Sequence, residues 1–472
     1  MKTVICSLIF MFVGQQSVAQ STPVWAEKTP SIGAIETIPN GLQSKTQLEQ
    51  LREIGEALFT AQFTDQDGAG RPMATQAIIP TKPRRELRQA FARTSGMDAN
   101  ACSSCHNQPF DGGAGGFVAN VFLSEGFNNH EFDTTDPEFS NERGTNHLFG
   151  AGLIELLARE MTAELVAQRT NALSKARENG QATRVALVTK DVSFGYITAM
   201  PDGMVDLTEL DGVDTDLVIR PFSQKGVMTS LRQFTVNASN HHHGMQASER
   251  FGARWTGETD FDEDGYADEF SPADVSALVA WQASLPAPTV WQPSDNAWQD
   301  AARKGAEYFD DFGCTSCHRT ALPLDSLHFY DPGPVDAAGT LNKHDVANPA
   351  IYDLSQLDWV NSLEQNEQGQ FMVPLFGDLK RHKITDPEND LLGNELFSQR
   401  FVGRDIFMTA ELWGVGSTAP YGHRNDFTTL DTIIRAHGGS AKPAKDAYTN
   451  AQEEQRSAIV AFLKTLRIEV AE

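Results

Sequence analysis

Cysteine is scarce in this chain, with five in 472 residues. Cys6 lies in the opening segment, and the other four fall in two short clusters. That leaves no thiols for a disulfide framework. Positive charge is also in short supply: 38 Lys and Arg against 63 Asp and Glu give a net charge of −25. Such a balance excludes the basic footprint that nucleic acid or an anionic membrane surface requires, and fits a basic or neutral protein partner. Long apolar runs are missing too. The longest, residues 4–13, is ten residues, whereas a spanning helix needs about 20, so no membrane span is expected in the mature chain. No low-complexity tract is present. What remains, 40% hydrophobic and 21% charged residues, is the make-up of a water-soluble globular protein of two or three domains.

Segment 1–19 places Lys2 before that apolar run and ends in Ser17-Val18-Ala19. This is the layout of a secretory signal peptide with a small-residue cleavage site, and an N-terminal anchor is the alternative. Cleavage after Ala19 would remove Cys6. The expected location is then the bacterial periplasm.

The four remaining cysteines stand in Cys102-Ser103-Ser104-Cys105-His106 and Cys314-Thr315-Ser316-Cys317-His318. Both read C-x-x-C-H, the attachment sequence for c-type haem. Two thiols three positions apart can each form a thioether to one porphyrin edge, and the adjacent histidine then comes up under the ring to ligate iron. Zinc knuckles or redox dithiols are the competing reading, but zinc has no need of a histidine directly after the second cysteine. The chain is therefore expected to carry two covalently bound c-type haems, with iron on His106 and on His318.

Around the motifs the pattern is helical. A capping box at Thr46-x-x-Glu49 opens a helix bearing Leu48, Leu51, Ile54 and Leu58. Residues 84–93 form a basic helical stretch, and 151–170 an amphipathic helix with Leu153, Leu156, Leu157, Met161 and Leu165 on one side. Residues 184–208 read as the one clear β element, a hairpin around Pro201-Asp202-Gly203. Ser271-Pro272 with Asp274 starts another helix. An apolar stripe (Trp298, Ala302, Gly305, Phe309, Phe312) runs straight into Cys314, and two helices, 428–437 and 451–466, close the chain. The prolines at 286, 288 and 293 mark a linker. These features predict a mainly α protein: a loose arm over 20–43, then two cytochrome c-like domains over 44–290 and 291–472. Each would hold one covalent haem, and the first would carry a small β-hairpin insertion.

What covers the second face of each iron decides its work. A second protein ligand makes an electron-transfer haem, while an open position permits chemistry on small molecules. His437 falls in register with Leu430, Ile433 and Ile434 and is followed by Gly438-Gly439, so it is a candidate ligand or a buried core histidine. Asn240-His241-His242-His243-Gly244-Met245 offers four further possible ligands, or a solvated loop; His243 is taken as the candidate in the catalytic set. Glu155 is the candidate proton shuttle beside an open iron, and His147 a further candidate. The glycines at 112, 113, 115 and 116 would let backbone pass close to a flat cofactor, or form a surface loop. Trp255, Trp281 and Trp413 are either aromatic relays or plain core. Asp260, Asp262, Asp264 and Asp268 alternate around Gly265 as in a calcium loop, but Ser271 stands at the closing position, where Glu269 or Asp274 would have to substitute.

As an ordered set, the two motifs resemble the bacterial di-haem oxidoreductase family, related to the di-haem cytochrome c peroxidases. With them go Leu148-Phe149-Gly150-Ala151-Gly152-Leu153-Ile154-Glu155, Arg250-Phe251-Gly252, the tail Ala410-Glu411-Leu412-Trp413-Gly414-Val415-Gly416, Ala419-Pro420-Tyr421-Gly422-His423 and His437-Gly438-Gly439. In the peroxidase relatives a tail histidine precedes the distal ligand of the C-terminal haem by fourteen positions, the offset between His423 and His437 here. The relatives have Met or Tyr at the ligand position. The resemblance therefore implies a bis-histidine C-terminal haem, on His318 and His437, of lower potential than a His/Met site. It also implies hydrogen peroxide as substrate at the N-terminal haem, Glu155 as the nearby acid, and a small electron-donor protein such as a monohaem cytochrome c or a cupredoxin. A non-enzymatic electron carrier and an oxidase acting on a protein or polymer are the rival expectations.

Overall fold

The computed structural model describes residues 31–69, 100–123, 140–260, 265–337, 339–393 and 402–468. The leader, the basic stretch 84–93, Asp262 and Asp264 lie outside the described residues.

The helices that organise the chain are α1 (Lys45–Thr60), α2 (Ala151–Asn179), α3 (Leu231–Ala238), α4 (Pro272–Ala283), α5 (Asn296–Asp311), α6 (Leu430–Ala436), α7 (Lys442–Asn450) and α8 (Glu453–Leu463). The same local device recurs in both halves. α1 precedes the first C-x-x-C-H motif and crosses α4; α5 precedes the second and crosses α8. Each crossing is made possible by a glycine. A Cβ on Gly55 would lie 2.1 Å from the carbonyl oxygen of Ala277, and one on Gly305 would lie 2.0 Å from that of Ala458. One turn further along, Phe59 packs on Trp281 at 4.3 Å between ring centroids, and Phe309 on Phe462 at 5.5 Å. Both phenylalanines then reach the haem-motif histidines, His106 at 6.1 Å and His318 at 6.2 Å. Two separate stretches of sequence therefore build one and the same unit: helix, motif, and a later helix that crosses the first.

α1 is capped two residues earlier than expected. Ser44, not Thr46, is the N-cap, and Gln47 completes the box by accepting from the Ser44 N–H at 3.0 Å. The cap of α4 is the expected one, with Ser271 accepting from Asp274 N–H at 3.1 Å and Pro272 in the first turn. α2 runs to Asn179, nine residues past its expected end, and its five predicted apolar residues are all buried.

The mainly α expectation is corrected toward a mixed architecture: six small sheets occur among the described residues. The predicted hairpin exists. Thr183–Thr189 and Val192–Ala199 pair antiparallel, and Val205–Asp206 returns past the Pro201 turn. The first turn is made by Lys190 and Asp191 at φ of 48° and 60°, a dipeptide with no glycine to announce it. Most other strands are two to four residues long, such as His328–Asp331 against Ala350–Asp353. The described part of the arm is not loose, because Gly41–Leu42 pairs parallel with Ala350–Ile351 and Gly33 N–H donates to Asp274 at 2.9 Å. Residues from both sides of position 291 share one core. Leu322, Phe329, Tyr352 and Leu375 pack with the buried faces of α1, α2 and α4, while Phe309, Tyr448, Ile459 and Phe462 form a second cluster.

Candidate functional site

Both C-x-x-C-H motifs open onto a single cavity of about 1170 Å³. That is above the ~300–1,000 Å³ of an ordinary small-molecule pocket. Each motif is a 3-10 turn closed by a backbone bond, Cys105 N–H to Cys102 O at 3.2 Å and Cys317 N–H to Cys314 O at 3.3 Å. The turn presents both thiols and the histidine to the same side. All four thiols are free. Burial, with the paired thiol as a lesser cause, pushes Cys102 up to about 12; burial likewise lifts Cys314 to about 11. Neither thiol is a poised thiolate of the kind a redox dithiol needs.

Three histidines share one arrangement. Nδ1 of His106 lies 3.2 Å from Gly113 O, Nδ1 of His318 lies 3.1 Å from Phe376 O, and Nδ1 of His437 lies 2.8 Å from Ile433 O. A carbonyl acceptor at Nδ1 fixes the tautomer and leaves Nε2 as the metal-binding nitrogen. Burial holds His106 and His318 down at about 4 and lowers His437 as well, so all three rings are neutral, the form iron requires. His318 lies within the electrostatic reach of His437, and both line the cavity. His437 is the C-cap of α6. Gly438 then turns away by donating to Ile384 O at 2.8 Å. The residues present fit covalent haem at each motif, and His437 lines the same cavity as His318.

The glycine run has a different use from the one expected. It folds back onto the first motif: a Cβ on Gly113 would lie 2.1 Å from Gln108 O, and one on Gly115 would lie 2.0 Å from Cys105 O. These glycines shape the seat of His106.

His241, His242 and His243 form a π-helical turn, Ser239–His243, at the end of α3, and all three line the cavity. Nε2 of His243 is 3.4 Å from Cys102 Sγ. His242 is held well below its ordinary value by burial and by the neighbouring His243, His241 and His106. Met245, the fourth candidate in that stretch, is buried in the core instead. His147 lines the cavity with Nε2 3.0 Å from Trp413 O. Its backbone neighbour Asn146 bonds to His106, which puts it on the His106 side of the site.

Glu155 is a correction. It is fully buried, but its carboxylate is taken up by Arg159 and by the backbone N–H of Leu231 at 2.7 Å, and it does not line the cavity. It anchors the start of α3, so it is not placed to shuttle protons at an iron. The residue that sequence reasoning missed is Glu411, the only carboxylate among the described residues lining the cavity. Its stretch has no periodicity to reveal which way a side chain points. Arg250 also lines the cavity and donates to Asn237 Oδ1.

The tryptophans separate. Trp413 is buried, lines the cavity and lies against Gly150; Trp281 is core; Trp255 is exposed and so is not core. For the acidic loop, Asp260 accepts from Gly265 N–H at 3.1 Å and Asp268 sits at φ 51°. Both substitutes for the closing calcium ligand are engaged elsewhere, Glu269 by Gln246 N–H at 2.7 Å and Asp274 by the α4 cap. Cys317, Asp378 and His382 also approach one another closely enough to suggest a metal site, but a thioether at Cys317 would remove that ligand.

No family model and no curated protein matches the chain. Among solved structures, hydrazine synthase of Kuenenia stuttgartiensis aligns at 13% identity over 98% of this chain and 100% of that chain, with a TM-score of 0.33. A MauG-like protein associated with microbial copper homeostasis aligns at 13% identity over 56% of this chain and 77% of that chain, with a TM-score of 0.28. At such scores these likenesses carry no argument. Among the described residues no helix is long and apolar enough to cross a membrane.

Proposed function

We propose that the chain is an exported di-haem c-type oxidoreductase that reduces hydrogen peroxide with electrons from a small donor protein. The observation that carries this reading is the opening of both C-x-x-C-H motifs onto one cavity. Cys102, Cys105, Cys314 and Cys317 would fasten the two groups, and His106 and His318 would hold their irons. When bound, the haems supply iron centres for one-electron transfer and, where one face stays open, for reduction of a small oxidant.

The protein's own residues divide the labour between the halves. His437 would be a second protein ligand to the iron held by His318, which would make that position an electron-handling one. The His241–His243 turn lies over the first, where His243 and its neighbours can admit or exclude a small molecule. Trp413 fills the wall beside Gly150 at the start of α2 and offers an aromatic side chain between the halves. With a net charge of −25, the surface favours a basic or neutral donor, such as a monohaem cytochrome c or a cupredoxin.

Peroxide turnover by the pre-reduced holoprotein tests the reading; its absence contradicts it. The three histidines over the first site also support a second reading, an electron carrier with both irons closed. Ferric-state spectra decide between them: a high-spin fraction goes with the peroxidase, and two low-spin haems go with the carrier.

A further inference from the structure

Five residues with side chains charged at neutral pH line the cavity: Arg143, Arg250, Lys445, Glu411 and His382, whose bond to Asp378 outweighs burial and raises it to about 10. Glu411 is the one that can accept a proton near neutrality. Its place is set by two backbone bonds to the segment beneath the second motif. Leu412 N–H donates to Phe376 O, and Trp413 N–H to Leu375 O, both at 3.4 Å. Phe376 O is also the acceptor of His318 Nδ1 at 3.1 Å. A Cβ on the next residue, Gly377, would lie 3.5 Å from Glu411 Cγ. The carboxyl therefore sits one residue away from the carbonyl that orients His318.

The charges on neighbouring elements are already committed. Asp378 accepts from His382 Nε2 at 2.8 Å and from Lys380 N–H at 3.0 Å. The Lys380 ammonium is turned to Asp211 at 2.5 Å, and Arg381 to Asp214 at 2.7 Å. His147 is held by Trp413 O at 3.0 Å. Glu411 is left with burial, which opposes its charge, its own backbone N–H, which favours it, and Asp378, which opposes it.

We propose that Glu411 takes up one proton from solvent when the haem on His318 gains one electron, so that the charge added to the cavity is cancelled inside it. One electron enters from a one-electron donor protein, one O–H bond forms on the carboxylate, and no other bond changes. This rests on the di-haem reading. The coupling is reciprocal: an electron nearby raises the carboxylate's proton affinity, and the proton raises the iron's electron affinity. Burial has already moved the group up to about 7, so the response starts near neutrality and extends to higher pH, where the oxidised state has lost the proton and the reduced state retains it.

The test is a spectroelectrochemical titration of mature holoprotein and of Glu411→Gln, from about pH 6 to 9. At fixed potential, the reduced-to-oxidised ratio of one haem in the wild type should fall by up to about tenfold per pH unit above neutrality, and in Glu411→Gln it should not change. On the wild type alone, a reduced-minus-oxidised infrared spectrum with 13C-labelled glutamate should show a protonated carboxyl gained on reduction. A two-haem protein whose potentials ignore pH, or a Gln variant that titrates like the wild type, overturns this inference alone. A protein without haem overturns the functional reading together with it.

Discussion

Glu155 is buried and Glu411 half-buried, and desolvation moves both carboxyls from the usual 4.5 up to about 7, yet only Glu411 lines the cavity. Glu155 answers to Arg159 and the α3 N-terminus, so Glu155→Ala takes the carboxylate partner from a half-buried guanidinium and from the Leu231 N–H. It should lower stability by about 3–5 kcal/mol in urea unfolding while leaving the haem spectra in place; loss of peroxide turnover without loss of stability would restore it to the chemistry. Glu411 has the opposite signature. A carboxyl whose folded value is raised contributes stability below the unfolded value, and loses it as pH rises through the window from 4.5 to about 7. Glu411→Gln should therefore match the wild type near the acid end of that window and exceed it above the window, with the wild-type slope at most about 1.4 kcal/mol per pH unit. The two C-x-x-C-H motifs were legible because the chemistry is written in adjacent positions, and His437 because a helix carried it in register. Glu411 was not, since nothing in an aperiodic stretch says where a side chain faces.

At the level of elements, the helix before each motif and the helix that crosses it were visible in the sequence, but their mutual approach was not. It depends on Gly55 and Gly305, single residues with no local signal. Gly305→Val drives a branched side chain into Ala458 O and should cost about 1–3 kcal/mol or more. The protein should keep the haem on His106 and lose occupancy at His318, read by haem content and spectra of the purified variant; equal loss at both sites would contradict two separately built units. The His437→Ala change acts on the other side of the same unit and should turn one low-spin ferric signal high-spin, leaving the other. The small sheets escaped the sequence reading because strands of two to four residues, such as Phe371–Val373 and Ile406–Met408, are too short for alternation to register.

For the whole molecule, the cavity joins what the sequence divided. Residues on both sides of the proline-bearing linker contribute to one core and line one space, and this could not be read from a boundary drawn by composition. The shared space is what lets His437, Trp413, Glu411 and the His241–His243 turn belong to a single apparatus. All of that depends on porphyrin iron being fastened at both motifs. The most direct test is the intact mass of the mature protein beside Cys102→Ser/Cys105→Ser and Cys314→Ser/Cys317→Ser. The account predicts two haems added to the wild-type chain and one to each double variant. A wild-type chain whose mass shows no added haem, or variants that retain the full complement, would contradict it.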